Sequence, residues 1–190
     1  MINTLNKIIH GRQSVYPKSF SGEIISVDLI NEILDNANQA PSHKHTEPWR
    51  FHVITPKSKL AFIKFAQDAY TSYTHPDNFK GNKFDKIPKK INLSSHILMI
   101  SMHRNEDSGL PEWEEVAAVA TAIQNIYLTL TALSLGGYWS SPQYIITHAN
   151  KFFDMHENEK CLGLFYIGVP QGELPPKPQK KPIGEKVTWY

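Results

Sequence analysis

Apolar residues recur at three-to-four spacing through Val27, Ile30, Ile33, Leu34 and Ala37, which predicts an amphipathic helix over 27–38. Ser26 is placed to cap it, and Asp28 and Glu32 lie near its positive end. Pro41 ends the segment. Pro48 forces extended geometry on Glu47, and the bulky and β-branched Trp49, Phe51, Val53 and Ile54 then predict a strand. Leu60, Phe62, Ile63 and Phe65 predict a second amphipathic helix over 58–70. Residues 71–90 mix Tyr73, His75, Pro76, Gly81 and Pro88 with charged side chains, the pattern of a mobile loop or short helical pieces over a cleft. Ile97 to Met102 is an unbroken apolar run of strand length and predicts a buried core strand. Residues 104–111 are turn-like. Glu112, Glu114 and Glu115 then open a long helix stopped by Gly136, whose apolar positions from Val116 to Leu133 cover more than one stripe and demand partners on several sides. Leu162 to Val169 predicts another strand. Prolines at 170, 175, 176, 178 and 182 leave an extended arm, and Lys186 to Tyr190 has strand character with no local neighbour.

Composition narrows the function classes. A chain of 190 residues with 20 Lys plus Arg against 18 Asp plus Glu carries a formal charge of +2, which excludes a strongly basic nucleic-acid binder. Hydrophobic residues at 41% suffice for one domain, 1–190, with an extended C-terminal arm over about 170–190. Cys161 is the single cysteine, so there is no intrachain disulfide and no thiolate metal cluster. The first ten residues lack a signal-peptide pattern, and a cytoplasmic protein is expected. Val116 to Thr147 contains no Asp, Glu, Lys or Arg, long enough for the about 20 residues of a membrane span. Gln124, Asn125 and several threonines, with Gly136-Gly137, favour instead a helix buried in the protein or at a subunit contact.

Four constellations are candidates for chemistry. Arg12-Gln13-Ser14 puts a guanidinium and a hydroxyl two residues apart, a pair able to grip a phosphate. Ala40-Pro41-Ser42-His43-Lys44-His45 is a polar loop between a helix and a strand; His43 and His45 at i, i+2 suit opposite faces of an extended chain better than one metal. Gly136-Gly137-Tyr138-Trp139-Ser140-Ser141-Pro142 offers close backbone approach and a stacking surface, and reads equally as a helix C-cap followed by a core Trp. Lys177, Lys180 and Lys181 lie in the arm as a basic tail or a phosphate contact. No P-loop, Gly-x-Gly-x-x-Gly or Gly-x-Ser-x-Gly occurs.

In this order the pieces resemble the nitroreductase family. Arg12-Gln13-Ser14 is similar to its N-terminal Arg-x-Ser motif. Ala40-Pro41-Ser42 with Glu47-Pro48-Trp49 is similar to its Ala-Pro-Ser and Gln-Pro-Trp marks, and His43-Lys44 looks like its compact bacterial branch. Gln124-Asn125 running into Leu135-Gly136-Gly137, and Gly163 to Pro170, complete the match over nearly the whole chain. The resemblance implies an α+β fold with a central, mostly antiparallel sheet flanked by helices, in an intertwined homodimer with FMN at the subunit interface and no membrane association. It implies cofactor contacts from Arg12, Gln13, Ser14, Gln39, His43, Trp139, Ser140, Ser141 and Lys180, with no side-chain nucleophile and no metal.

The implied activity is ping-pong hydride transfer from NADH or NADPH through FMN to a nitroaromatic, quinone or related small electron acceptor. Three positions depart from the family pattern. Gln13 replaces a second Arg, Tyr16 replaces a later basic residue, and Ser141-Pro142 stands where a Glu-Gly pair is common, so Pro142 has no amide to offer flavin N5. A flavin-binding or sensing protein with little turnover is the alternative that the Ser141-Pro142 departure alone supports; a metal-dependent hydrolase using His43 and His45 is the third reading.

Overall fold

The computed structural model describes residues 1–190. Its elements are α1 (Ile2–Gly11), α2 (Val27–Ala37), β1 (Trp49–Ile54), α3 (Lys59–Tyr73), α4 (Gly81–Leu93), β2 (His96–His103), α5 (Glu112–Ala132), β3 (Gly136–Ser140), α6 (Gln143–His148) and β4 (Glu159–Gly168). The four strands form one antiparallel sheet in the order β1-β2-β4-β3, so the fold is α+β. No helix is long and apolar enough to cross a membrane.

The unbroken apolar run of β2 follows from burial on both faces. Ile97 and Met99 join a core with Phe20, Phe62, Ile91 and Tyr166, under α3, α4 and α6. Leu98, Ile100 and Met102 join a second core with Ile33, Trp49, Ile123 and Phe165, under α2 and α5. Ser26 accepts the Leu29 amide at 3.3 Å, as its capping role requires.

Two sequence expectations are corrected, and two others take a definite form. Of the two forms expected for residues 71–90, the helical one is found: α3 continues to Tyr73, and α4 occupies 81–93 over a cleft. Pro88 lies inside α4, where the loss of one backbone hydrogen bond is offset by burying Ile87 and Ile91 against α3. The long helix ends at Ala132, three residues before the expected Leu135, because Ser134 adopts a left-handed φ of 57° and the Leu135 amide bonds back to the Leu130 carbonyl at 2.8 Å. Gly136-Gly137 then begins a strand rather than a cap. A Cβ at Gly137 would lie 2.7 Å from Leu130 and the Phe165 ring, so only glycine lets β3 lie this close to α5 and β4. Lastly, Ile183–Lys186 is a 3-10 turn and Val187 to Tyr190 pairs with nothing in this chain.

A polar network closes the sheet at one end. The buried Glu159 carboxylate accepts His52 Nε2–H at 2.6 Å, the Ser101 hydroxyl, and the His156 amide at 3.2 Å. Burial pushes its carboxyl up, but the bonds from Ser101, His52 and His156 outweigh burial and hold it below the ordinary carboxylate range. Because the folded value lies below the unfolded one, this stability is complete at neutral pH and is lost as pH falls through that range and on through the depressed value. Glu159→Gln should therefore lower the unfolding free energy by about 1–3 kcal/mol at neutral pH, and the gap from wild type should narrow below about pH 4. Urea denaturation across pH checks both; a gap independent of pH would count against the ionised-network account.

Candidate functional site

After α1 ends, the chain from Arg12 to Ser21 runs along the β3 end of the sheet, with one 3-10 turn at Pro17–Ser19. Val15 N–H donates to the Gly137 carbonyl, Ser21 N–H to Val169 and Gln171 N–H to Ser19, each at 2.9 Å. Tyr16 stacks on Tyr138 with ring centroids 4.4 Å apart. This lacing carries the Arg12-Gln13-Ser14 segment to the middle of α5, where Tyr127 waits. The Arg12 guanidinium sits 5.1 Å over the Tyr127 ring, Ser14 Oγ lies 3.4 Å from the Tyr127 hydroxyl, and that hydroxyl accepts the Trp139 amide at 2.9 Å. Trp139 is fixed in turn by its indole N–H on the Leu162 carbonyl at 3.3 Å.

Tyr127 thus gathers Arg12, Ser14 and Trp139, yet the sequence reading treated it only as one of the apolar positions of the long helix. The available signal was its hydroxyl, which needs a partner when the ring is packed in a helix without charged neighbours. Arg12 has no carboxylate partner. A half-buried guanidinium beside hydroxyls and an aromatic face, with no acid to neutralise it, is a set of donors suited to an anion such as a phosphate.

Ser140 and Ser141 follow directly on Trp139. Gly163, at φ 124°, lies beneath them, and a Cβ there would collide with the Ser140 carbonyl, so this turn is held tightly against β4. Pro142 precedes α6 and has no N–H, which leaves its neighbours to supply any amide at this turn. On the opposite face of β3 from Trp139, Ser140 opens onto a cleft of about 470 Å³ between α3, α4 and α6. Its walls include Tyr70, Tyr73, Tyr144 and Tyr166, together with Lys83, Lys86 and Lys90 of α4, in the segment the sequence left open between a loop and helical pieces over a cleft. Burial, with Tyr70 beside it, pushes the Tyr144 phenol up to about 12, so it remains a neutral donor at working pH.

The other expected residues stand elsewhere in this chain. His43 Nδ1 is 2.7 Å from Glu114 at the start of α5, and Lys44 Nζ donates to the Ser108 carbonyl at 2.6 Å. Lys44, His45 and Glu47 take positive φ of 53°, 53° and 43°, a concentration of backbone strain typical of functional loops. Gln39 is exposed and reaches back to the Asp35 carbonyl at 3.5 Å. Thirteen helical steps lead from Glu114 to Tyr127, about 20 Å along the axis. Within one chain the His43 loop and the Arg12 cluster are therefore far apart. In the arm, Lys180 is exposed; Lys177 is the lysine that docks, donating to the His10 carbonyl at the end of α1, two residues before Arg12. The Cys161 thiol is pushed up to about 11 by burial, which keeps it protonated.

Known proteins share this fold. A protein of Bacillus subtilis named as an NAD(P)H nitroreductase, YfhC, is 25% identical over 187 residues, 98% of this chain and 94% of its own. A nitroreductase-like family protein from Bacillus cereus superposes with a TM-score of 0.79 at 21% identity, over 97% of this chain and 95% of its own. A nitroreductase from Bacteroides fragilis, solved with bound FMN, superposes at 0.69 with 20% identity, over 93% and 94%. The nitroreductase family profile matches residues 9–169, which contain both the Arg12 segment and β4. The chain belongs to the nitroreductase family.

Proposed function

We propose that this chain is an FMN-dependent oxidoreductase that takes hydride from NADH or NADPH and reduces nitroaromatic, quinone or related small acceptors in ping-pong fashion. The observation that carries this reading is the Tyr127 cluster: an uncompensated guanidinium, a serine hydroxyl and the β3 backbone held together on one face of β3, while Ser140 of the same strand opens onto an aromatic-lined cleft on the other. Those donors fit FMN, whose phosphate would fall to Arg12 and Ser14, with Lys177 or Lys180 of the arm nearby. FMN when bound supplies the hydride-accepting and electron-donating chemistry. Arg12 and Ser14 would hold the cofactor's phosphate, and the cleft's lysines and the neutral Tyr144 phenol would offer donors to negative charge on a bound acceptor. One cleft serves donor and acceptor in turn.

The same reading makes the protein a cytoplasmic homodimer. The exposed stripe of α5, Trp113, Ala117, Ala120, Thr121 and Gln124, bears no charge. Ile2, Leu5 and Ile9 of α1, and Ile183 and Trp189 of the arm, are also left uncovered. A two-fold partner would cover these faces and bring its own His43 loop towards Arg12, joining the two halves that one chain holds about 20 Å apart. Pro142 favours one second reading, a flavin-binding protein with little turnover, because it removes an amide beside the cleft. Steady-state oxidation of NADH and NADPH with a nitroaromatic or quinone decides between them. Sustained turnover with flavin present is expected; bound flavin with no turnover would favour the second reading.

A further inference from the structure

Lys83, Lys86 and Lys90 recur at i, i+3 and i+7 on α4, which places all three ammonium groups along one face. That face lines the cleft, no Asp or Glu lines it with them, and none of the three forms an ion pair. Asp85, the acid on the same helix, is not a lining residue. Burial, then Lys86 and Lys83, hold the Lys90 ammonium below the ordinary lysine value, so the three lysines repel one another across a shared space. Opposite them stand the aromatic walls from Tyr70, Tyr73 and Tyr144. A cleft of about 470 Å³ with flat aromatic walls and an unneutralised cationic rim suits a single aromatic ring bearing an anionic group. It is small for a whole dinucleotide.

We propose that Lys83 and Lys86 are specificity-determining residues that select aromatic electron acceptors carrying a carboxylate or similar anion over neutral analogues. This rests on the flavoenzyme reading above. The lysines attract the anionic group and anchor it at the mouth, leaving the ring between the tyrosines, and the attraction weakens with salt.

The test compares 4-nitrobenzoate with its neutral methyl ester in the FMN-loaded protein, by kcat/KM and by calorimetric binding. In wild type the anion is preferred, and raising the salt erodes the preference. Lys83→Gln with Lys86→Gln should cut the anion-to-ester ratio by about tenfold or more, whereas Lys89→Gln, which replaces a lysine of α4 outside the cleft, should leave the ratio where it is. If the double variant does not fold, either single variant should lower the ratio in the same direction. An unchanged ratio overturns the proposal. A fall confined to the NADPH-to-NADH ratio also overturns it, by showing that the lysines read the donor's extra phosphate. Should the protein hold no flavin, calorimetry alone decides: anion preference lost in the double variant keeps the lysine assignment while the flavin reading fails, and no preference in wild type ends both.

Discussion

Arg12→Ala should weaken FMN by roughly 10- to 150-fold, the equivalent of about 1.5–3 kcal/mol for a hydrogen bond to a charged group. The expectation follows from what surrounds the guanidinium. Its partner in this chain is the Tyr127 ring, 5.1 Å away, and no carboxylate competes for it. Its forked donors are free to meet a phosphate, and removing them leaves that phosphate to the Ser14 hydroxyl and an arm lysine, without the bidentate contact. Arg12 is half-buried and carries no core packing, so the variant should unfold near the wild-type temperature. Tyr127→Phe should weaken FMN by a smaller factor, since it keeps the aromatic face under Arg12 and loses the hydroxyl that ties Ser14 to the Trp139 amide. Fluorescence titration of FMN into the stripped proteins measures both. FMN affinity unchanged by Arg12→Ala would remove Arg12 from the site.

A chain cut after Lys181 should lose the dimer and the cofactor together. The cut removes Ile183, Val187, Trp189 and Tyr190, all exposed in one chain, with Trp189 91% exposed. Burying Trp189 on a partner contributes roughly 1.5–3 kcal/mol, and pairing the unbonded terminal backbone with a partner's sheet edge adds to it. In the proposed dimer that clamp would hold the partner's His43 loop near Arg12, so the truncated chain should shift towards monomer on dilution and release FMN. Lys177, which anchors the arm on the His10 carbonyl, remains in the truncated chain, so a loss of FMN reports on the subunit contact. Sedimentation with simultaneous flavin detection follows both quantities. A full-length protein that is a stable monomer and still binds FMN would contradict the shared-site arrangement.

The elements that were legible in the sequence are those whose burial leaves a period. Alternate residues of β2 feed the two cores, so its continuous apolar run could only be a strand buried on both faces. α2 announced itself through Ser26 and its three-to-four spacing. What escaped were elements set by tertiary contact. β3 begins with two glycines that local rules assign to a turn, and it is a strand because Phe165 and Leu130 leave no room for a Cβ at Gly137. α4 contains a proline that local rules assign to a break, and packing against α3 overrides it. The site divided the same way. Arg12, Ser14 and Trp139 were named from motif and do meet, but their meeting point, Tyr127, was hidden among the apolar residues of α5, and the lysine face of α4 was unreadable while that segment stood open between a loop and short helical pieces.

The central claim is that bound FMN exchanges electrons with a nicotinamide donor and a small acceptor in this protein. Anaerobic addition of NADH or NADPH to the FMN-loaded protein, followed by a quinone or nitroaromatic, tests it in one cuvette. The account predicts the yellow absorption of oxidised flavin at the start, bleaching on addition of the donor, and full return of colour on addition of the acceptor. Protein that takes up no FMN, or flavin that stays yellow with both donors, would contradict it.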